Sequence, residues 1–261
     1  MSTEKPIKAK YFEKDVQVLR LAKGALPLDH KTASGLLTVW DQGNVQEPQL
    51  LGFGGTRYEV VLPGGHTSIR IVFAAYKDSV VALDMQQQAQ YTLAVLDRLA
   101  EIWGNVAHRE ADSIRYEYRN PGGLGRLQDA VSQELGSCEI EAPAQHRQAY
   151  TVLTNPLEKY DYGTFCYFAG VPPAGRKAIQ HLLAAPASDV IRAVLRSTNP
   201  QARVYAVEAM LELERGGASI SELDRRAMEK IVELEIPISV CEGCLVYQST
   251  AKEIFARAGH E

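Results

Sequence analysis

The chain has 261 residues, of which 46% are hydrophobic and 23% charged, with a formal net charge of -4 at pH 7. That length suits one large domain or two of ordinary size, with enough apolar material for a packed core. The mild charge lacks the basic stripe that a nucleic-acid backbone requires, and no apolar run approaches the ~20 residues that cross a bilayer, so neither nucleic acid nor membrane is expected as a partner.

The amino-terminal MSTEKPIKAKYFEKD carries lysines with no apolar core behind them. It does not read as a signal peptide, and the cytoplasm is the expected compartment, although a chain that had already lost a leader would begin alike. Four cysteines, at 138, 166, 241 and 244, are too few and too scattered for a disulfide scaffold.

Residues 11–22 fit a helix or a strand. Residues 36–40, LLTVW, look strand-like, with a turn at 41–44. TRYEVVL over 56–62 ends at Pro63-Gly64-Gly65, SIRIVFAAY over 68–76 alternates Ile69, Ile71 and Phe73 with their neighbours, and SVVAL covers 79–83. Three β-prone runs with tight turns between them predict an antiparallel meander. Asp84 and Gln87 have capping-box spacing, and Ala89, Leu93, Leu96, Ala100 and Trp103 then trace a helical face that Gly104 stops. A strand over 113–119 follows, then Asn120-Pro-Gly-Gly123 and an amphipathic helix marked by Leu124, Leu127, Val131 and Leu135.

Residues 137–170 read as a connector bearing the aromatic cluster Tyr160, Tyr162, Phe165, Tyr167 and Phe168. Beyond Pro172-Pro173 the pattern turns helical, over about 174–184, 188–196, 200–214 and 220–234. The composition shift near 150–172 places the boundary between an α+β domain at 1–150 and a helical region at 151–261. Ser219 and Glu222 suggest a cap for the fourth of these helices, and Thr250 with Glu253 a cap for a last short one. Between them, a short β-like insertion sits near 236–248.

The 188–213 stretch is the most informative. Val190, Ile191, Val194 and Leu195 form one stripe, Asn199 is placed to cap a second helix, and Pro200 fits its first position. Ala202, Ala206, Ala209, Met210 and Leu213 make one apolar face, and Val204, Val207 and Leu211 another. Gln201, Tyr205, Glu208 and Glu212 leave a narrow polar stripe. With Asn199, Pro200, Arg203 and the Ala206/Ala209 pair, this resembles a HEAT-type helical repeat over about one repeat length. The resemblance implies a stacked helical surface that holds a protein partner, and Gln201, Tyr205, Glu208 and Glu212 are the expected contact stripe. An ordinary helical hairpin in a mixed domain is the alternative.

Chemical motifs are sparse. Cys241-Glu-Gly-Cys244 has the spacing of a zinc-ligating or redox pair, but no second ligand pair accompanies it, and His260, Cys138 or Cys166 would have to be brought in by folding. A turn between two short strands, with Gly243 at its tight position, explains the same residues. Gly52-Phe-Gly-Gly55 precedes a strand, which is the wrong setting for a dinucleotide loop. Asn120–Gly125 runs into a helix whose N–H groups could hold an anion beside Arg126, or is simply a helix start. The six histidines lie singly, and His66 falls in a turn where a surface residue is expected. No nucleophile motif appears, and no catalytic residue or resident cofactor is assigned beyond zinc at Cys241 and Cys244.

The expectation is an α+β protein: an antiparallel sheet with covering helices, followed by a helical region. Its expected role is that of a non-enzymatic binding or scaffold protein. Two alternatives stand beside it: an enzyme with a dispersed site in the amino-terminal domain or at the domain junction, and a metal- or redox-linked module centred on Cys241 and Cys244.

Overall fold

The computed structural model describes residues 7–28, 30–89, 93–168, 170–185 and 187–258. His260 and the first six residues lie outside them. The chain forms two compact units, one of Met1–Gln49 with Thr56–Gly125 and the other of Leu50–Gly55 with Arg126–Glu261. The second unit's main segment thus begins after residue 125, whereas the composition shift near 150–172 places the boundary at 150.

The first unit opens with α1 (Ala9–Gly24) and α2 (Ala33–Val39). The strand expected at LLTVW is a correction: it is helical. Ala33, Leu36 and Trp40 are buried while Thr38 is exposed, a helical spacing and not an alternation. Thr32 caps this helix by accepting the Gly35 N–H at 3.1 Å, and the Asp78 carboxylate takes the Ser34 N–H at 3.0 Å.

Strands β1 (Asn44–Val45), β2 (Gln49–Gly52), β3 (Gly55–Pro63), β4 (Thr67–Tyr76) and β5 (Ser79–Ala89) follow. After α3 (Ala94–Trp103) come β6 (His108–Arg109) and β7 (Ser113–Arg119). They build an antiparallel seven-stranded sheet in the order β1-β3-β4-β5-β7-β6, with β2 on β3. The α+β class read from the sequence is therefore what the chain adopts.

The helix expected to begin at Asp84 is a second correction. β5 runs on to Ala89, because Leu83, Met85 and Gln87 continue the inward alternation. Asp84 pairs bidentately with Arg115 of β7 at 3.0 and 2.7 Å instead of capping a helix. Gln87 is fully buried, donating to Thr67 Oγ1 at 3.0 Å and accepting from Trp103 Nε1 at 2.8 Å. α3 is correspondingly short, and Gly104 ends it at φ 63°, a left-handed position that glycine occupies at no steric cost.

One core joins Leu19 of α1, Leu36 of α2, and Leu96 and Trp103 of α3 to Ile69, Ile71 and Phe73 of β4. Asp15 is wholly buried there and tethers the β3–β4 turn, accepting the N–H groups of Gly65, His66 and Thr67 at 2.8 to 3.0 Å. His66, expected at the surface, is buried against it.

α4 (Pro121–Leu135) runs from the first unit into the second. The second unit adds α5 (Arg147–Thr154), α6 (Ala174–Leu183), α7 (Ser188–Leu195), α8 (Pro200–Arg215) and α9 (Glu222–Glu233). The β8 (Ile238–Glu242) and β9 (Leu245–Ser249) hairpin and α10 (Ala251–Ala258) complete it. α5 falls inside the stretch read as a connector. Asn199 caps α8 as expected, its side-chain oxygen accepting the Ala202 N–H at 3.3 Å. From Pro200 to Met210 every α8 residue except Glu208 is buried, so this helix is the axis of the unit's core. The α9 cap is Ser221, which accepts the Asp224 N–H at 3.1 Å, and not Ser219. The Thr250/Glu253 box forms in both directions, at 3.1 and 3.3 Å.

Candidate functional site

The polar stripe of α8 is where the structure departs most from the sequence reading. Gln201 and Tyr205 are buried, at 1% and 0% exposure, so neither presents a contact surface. Their burial follows from α8 being enclosed on several sides. The Tyr205 hydroxyl accepts the Gly163 N–H at 2.9 Å and shares its own proton between the Asp161 and Gly163 carbonyls, at 2.9 and 3.0 Å. Tyr205 thus anchors the 161–171 loop.

Glu208 is half-buried and engaged. Arg176 of α6 grips it bidentately, with both N–O distances at 2.8 Å, while Tyr162 donates to the same carboxylate at 2.9 Å. Arg176 Nε holds the Gly163 carbonyl at 3.0 Å, and its guanidinium lies 4.8 Å from the centre of the Tyr205 ring. Burial, assisted by Glu208, raises the Tyr162 pKa well above the tyrosine range; burial likewise raises that of Tyr205. For Arg176, burial works against its charge, but the hydrogen bonds and charge of Glu208 prevail and raise its pKa.

Arg203 is buried too, donating to the Ser197 and Leu51 carbonyls at 3.0 and 2.8 Å and facing the Phe53 ring. Burial lowers its pKa to about 9, which leaves it charged at neutral pH.

Past Glu208, α8 and α9 border a groove of about 710 Å³. Val207, Leu211, Met228, Val232 and Phe255 give it apolar walls. Glu208, Glu212, Glu229 and Glu233 line it with Arg215 and Arg225. Arg225 is bound to Glu214 at 2.6 Å. Among the described residues Glu212, Glu229 and Glu233 form no salt bridge, so the rim carries an excess of negative charge. Of the four stripe residues, then, Glu208 and Glu212 reach this groove, while Gln201 and Tyr205 are buried and do not line it.

A second cavity of about 490 Å³ lies on the other side of Tyr162 and Glu208, against the β8–β9 hairpin. The loop pairs with β8 through Tyr162 N–H to Ser239 O at 2.7 Å and Cys241 N–H to Tyr162 O at 2.8 Å. Cys166 and Cys241 form a disulfide, and Cys244 is free and exposed. Cys241 is therefore joined to Cys166 and not to Cys244, three residues on. The hairpin itself, with Gly243 in its turn at φ 59°, matches the turn expected from the sequence.

The other sequence candidates serve the fold. Asn120 Oδ1 takes the Gly123 N–H at 2.9 Å, filling the start of α4 where an anion would sit. His66 has both ring nitrogens engaged, Nδ1 with Asp15 at 3.0 Å and Nε2 with the Lys8 N–H at 3.2 Å. No helix among the described residues is long and apolar enough to cross a membrane.

Sequence reasoning passed over Arg176, because nothing local marks it: its partner Glu208 is 32 residues away. Comparison with protein-family models, curated proteins and solved structures finds no match to the chain.

Proposed function

We propose that this protein is a binding module whose α8–α9 groove receives an amphipathic helix with basic residues flanking its apolar face. The observation that carries this is the groove's composition: apolar walls of Val207, Leu211, Met228, Val232 and Phe255 beneath a rim on which Glu212, Glu229 and Glu233 have no salt-bridge partner among the described residues. An apolar helix face fills such walls, and flanking lysines or arginines answer the rim. Helix packing of the HEAT-like kind suits this role, since neighbouring helices leave grooves of helical width. The Cys166–Cys241 disulfide favours an oxidising compartment over the cytoplasm expected from the sequence.

The test uses two idealised peptides of about 18 residues, roughly 27 Å as helices, one patterned with Leu and Lys and the other with Leu and Glu. The whole protein should bind the Leu/Lys helix saturably, less tightly as salt rises, and reject the Leu/Glu helix. A Glu212→Lys, Glu229→Lys double variant should reverse that preference. Equal binding of both peptides, or a preference unmoved by the charge swap, would exclude the groove as the site.

A further inference from the structure

Three of the four cysteines gather at the β8–β9 hairpin in unequal surroundings. Cys166 and Cys241, joined by the disulfide, are 0% and 1% exposed, whereas Cys244 is exposed on the turn three residues beyond Cys241. Thiol–disulfide exchange requires a thiolate to approach a sulfur along the S–S axis, so reagents in solution meet a barrier at the buried pair and none at Cys244.

The backbone places the residue that bears the exposed thiol next in sequence to a contact of the buried pair. The Gly243 carbonyl oxygen lies 3.5 Å from Cys241 Sγ, and its carbon is bonded directly to the nitrogen of Cys244. The same carbonyl accepts the Tyr167 N–H at 2.6 Å, and Cys166 bridges to Gly243, so the loop carrying Cys166 is docked against the turn carrying Cys244. Cys241, Glu242 and Gly243 border the cavity of about 490 Å³, so this side of the hairpin is not closed off by packed side chains.

We propose that Cys244 is the entry thiol of a three-cysteine relay that forms and opens the Cys166–Cys241 disulfide in exchange with low-molecular-weight disulfides and thiols. In the oxidising direction, the Cys244 thiolate attacks a small disulfide RSSR, forming a mixed disulfide and releasing RS⁻. The Cys241 thiolate attacks Cys244 Sγ, forming Cys241–Cys244 and releasing the second RS⁻. The Cys166 thiolate then attacks Cys241 Sγ, and Cys244 leaves as a thiolate. Two protein thiols are oxidised, one RSSR is reduced to two RSH, and the protons of Cys166 and Cys241 pass to the two leaving thiolates. Reduction by a small thiol retraces these steps. The relay is independent of the groove and of what it binds.

The experiment reduces the full chain, adds oxidised glutathione, quenches by alkylation at intervals and locates disulfides by peptide mass mapping. The wild type should form Cys166–Cys241 and regain a free Cys244. Cys244→Ser should slow that disulfide at least about tenfold, since only the buried thiols remain to attack. Cys138→Ser should leave the rate unchanged. Cys166→Ser should stop at Cys241–Cys244, an arm that stands even where Cys244→Ser folds poorly. Wild-type rates in a folded Cys244→Ser variant would overturn the relay. So would a Cys166→Ser chain that carries glutathione on Cys244 and never closes to Cys241.

Discussion

Arg176 and Glu208 meet in a two-pronged ion pair, 2.8 Å on each arm, that ties α6 to α8 at the point where the loop from Asp161 crosses them. The Tyr162 hydroxyl completes the arrangement at 2.9 Å from a Glu208 oxygen. The pair separates the α8–α9 groove from the cavity beside the disulfide, and its members line one or both. Its geometry therefore shapes the groove wall as well as the core.

Glu208→Gln should destabilise the protein by about 2 kcal/mol, because Arg176, at 10% side-chain exposure, loses its counter-charge. The partial exposure of Glu208 keeps the cost below that of a fully enclosed pair. Tyr162→Phe removes one arm and leaves the ion pair, with an expected cost of about 1 kcal/mol. Urea unfolding of both variants measures the difference; equal costs would show that the carboxylate's charge is not what the site depends on.

Gly175 allows α6 to approach the aromatic residues beneath it. A Cβ there would collide with the Tyr160 ring and stand 2.7 Å from Tyr205 Cε2. Both rings are buried and have nowhere to retreat. Gly175→Ala should thus cost about 1–3 kcal/mol through overpacking, despite alanine's better helix propensity. A gain in thermal stability would mean that the rings shift freely.

What could be read from the sequence was local. Asn199-Pro200 announces the start of α8 because a cap and a first-turn proline act within four residues, and Thr250 with Glu253 does the same for α10. Asp84 with Gln87 mimics such a box, yet the side chains that hold β5 extended, Arg115 and Trp103, come from elsewhere in the chain. LLTVW reads as β by composition, whereas Thr32 and Asp78 make it a helix. The candidate site follows the same rule. Glu208 and Glu212 were legible as a polar stripe, but the burial of Gln201 and Tyr205, the Arg176 partnership and the 75-residue span from Cys166 to Cys241 depend on tertiary approach that no spacing encodes.

Ala206 lies at 0% exposure on the face of α8 that packs into the helical core. Ala206→Glu would bury an unpaired carboxylate and overfill the site, so the cost should be several kcal/mol, on the order of 4. Chemical denaturation reads this directly, and a change below about 0.5 kcal/mol would belong to a surface position instead.

Glu59 makes the first unit sensitive to acid. It accepts Arg70 Nε at 2.7 Å and Arg57 Nη2 at 2.9 Å. Burial pushes its pKa up, but the hydrogen bonds and charges of Arg70 and Arg57 together outweigh burial and hold it below the ordinary value of 4.5. The unfolded chain therefore binds a proton at a higher pH than the folded one. The stabilisation is complete above the unfolded value and is lost as pH falls through the lower folded value. Glu59→Gln should make stability fall less steeply with acid below about pH 4.5. At pH 7 the same variant should be weaker by about 2 kcal/mol, because the hydrogen bonds from Arg57 and Arg70 lose their charged acceptor. Urea unfolding over a pH series checks both, and an acid slope identical to that of the wild type would place the acid sensitivity elsewhere.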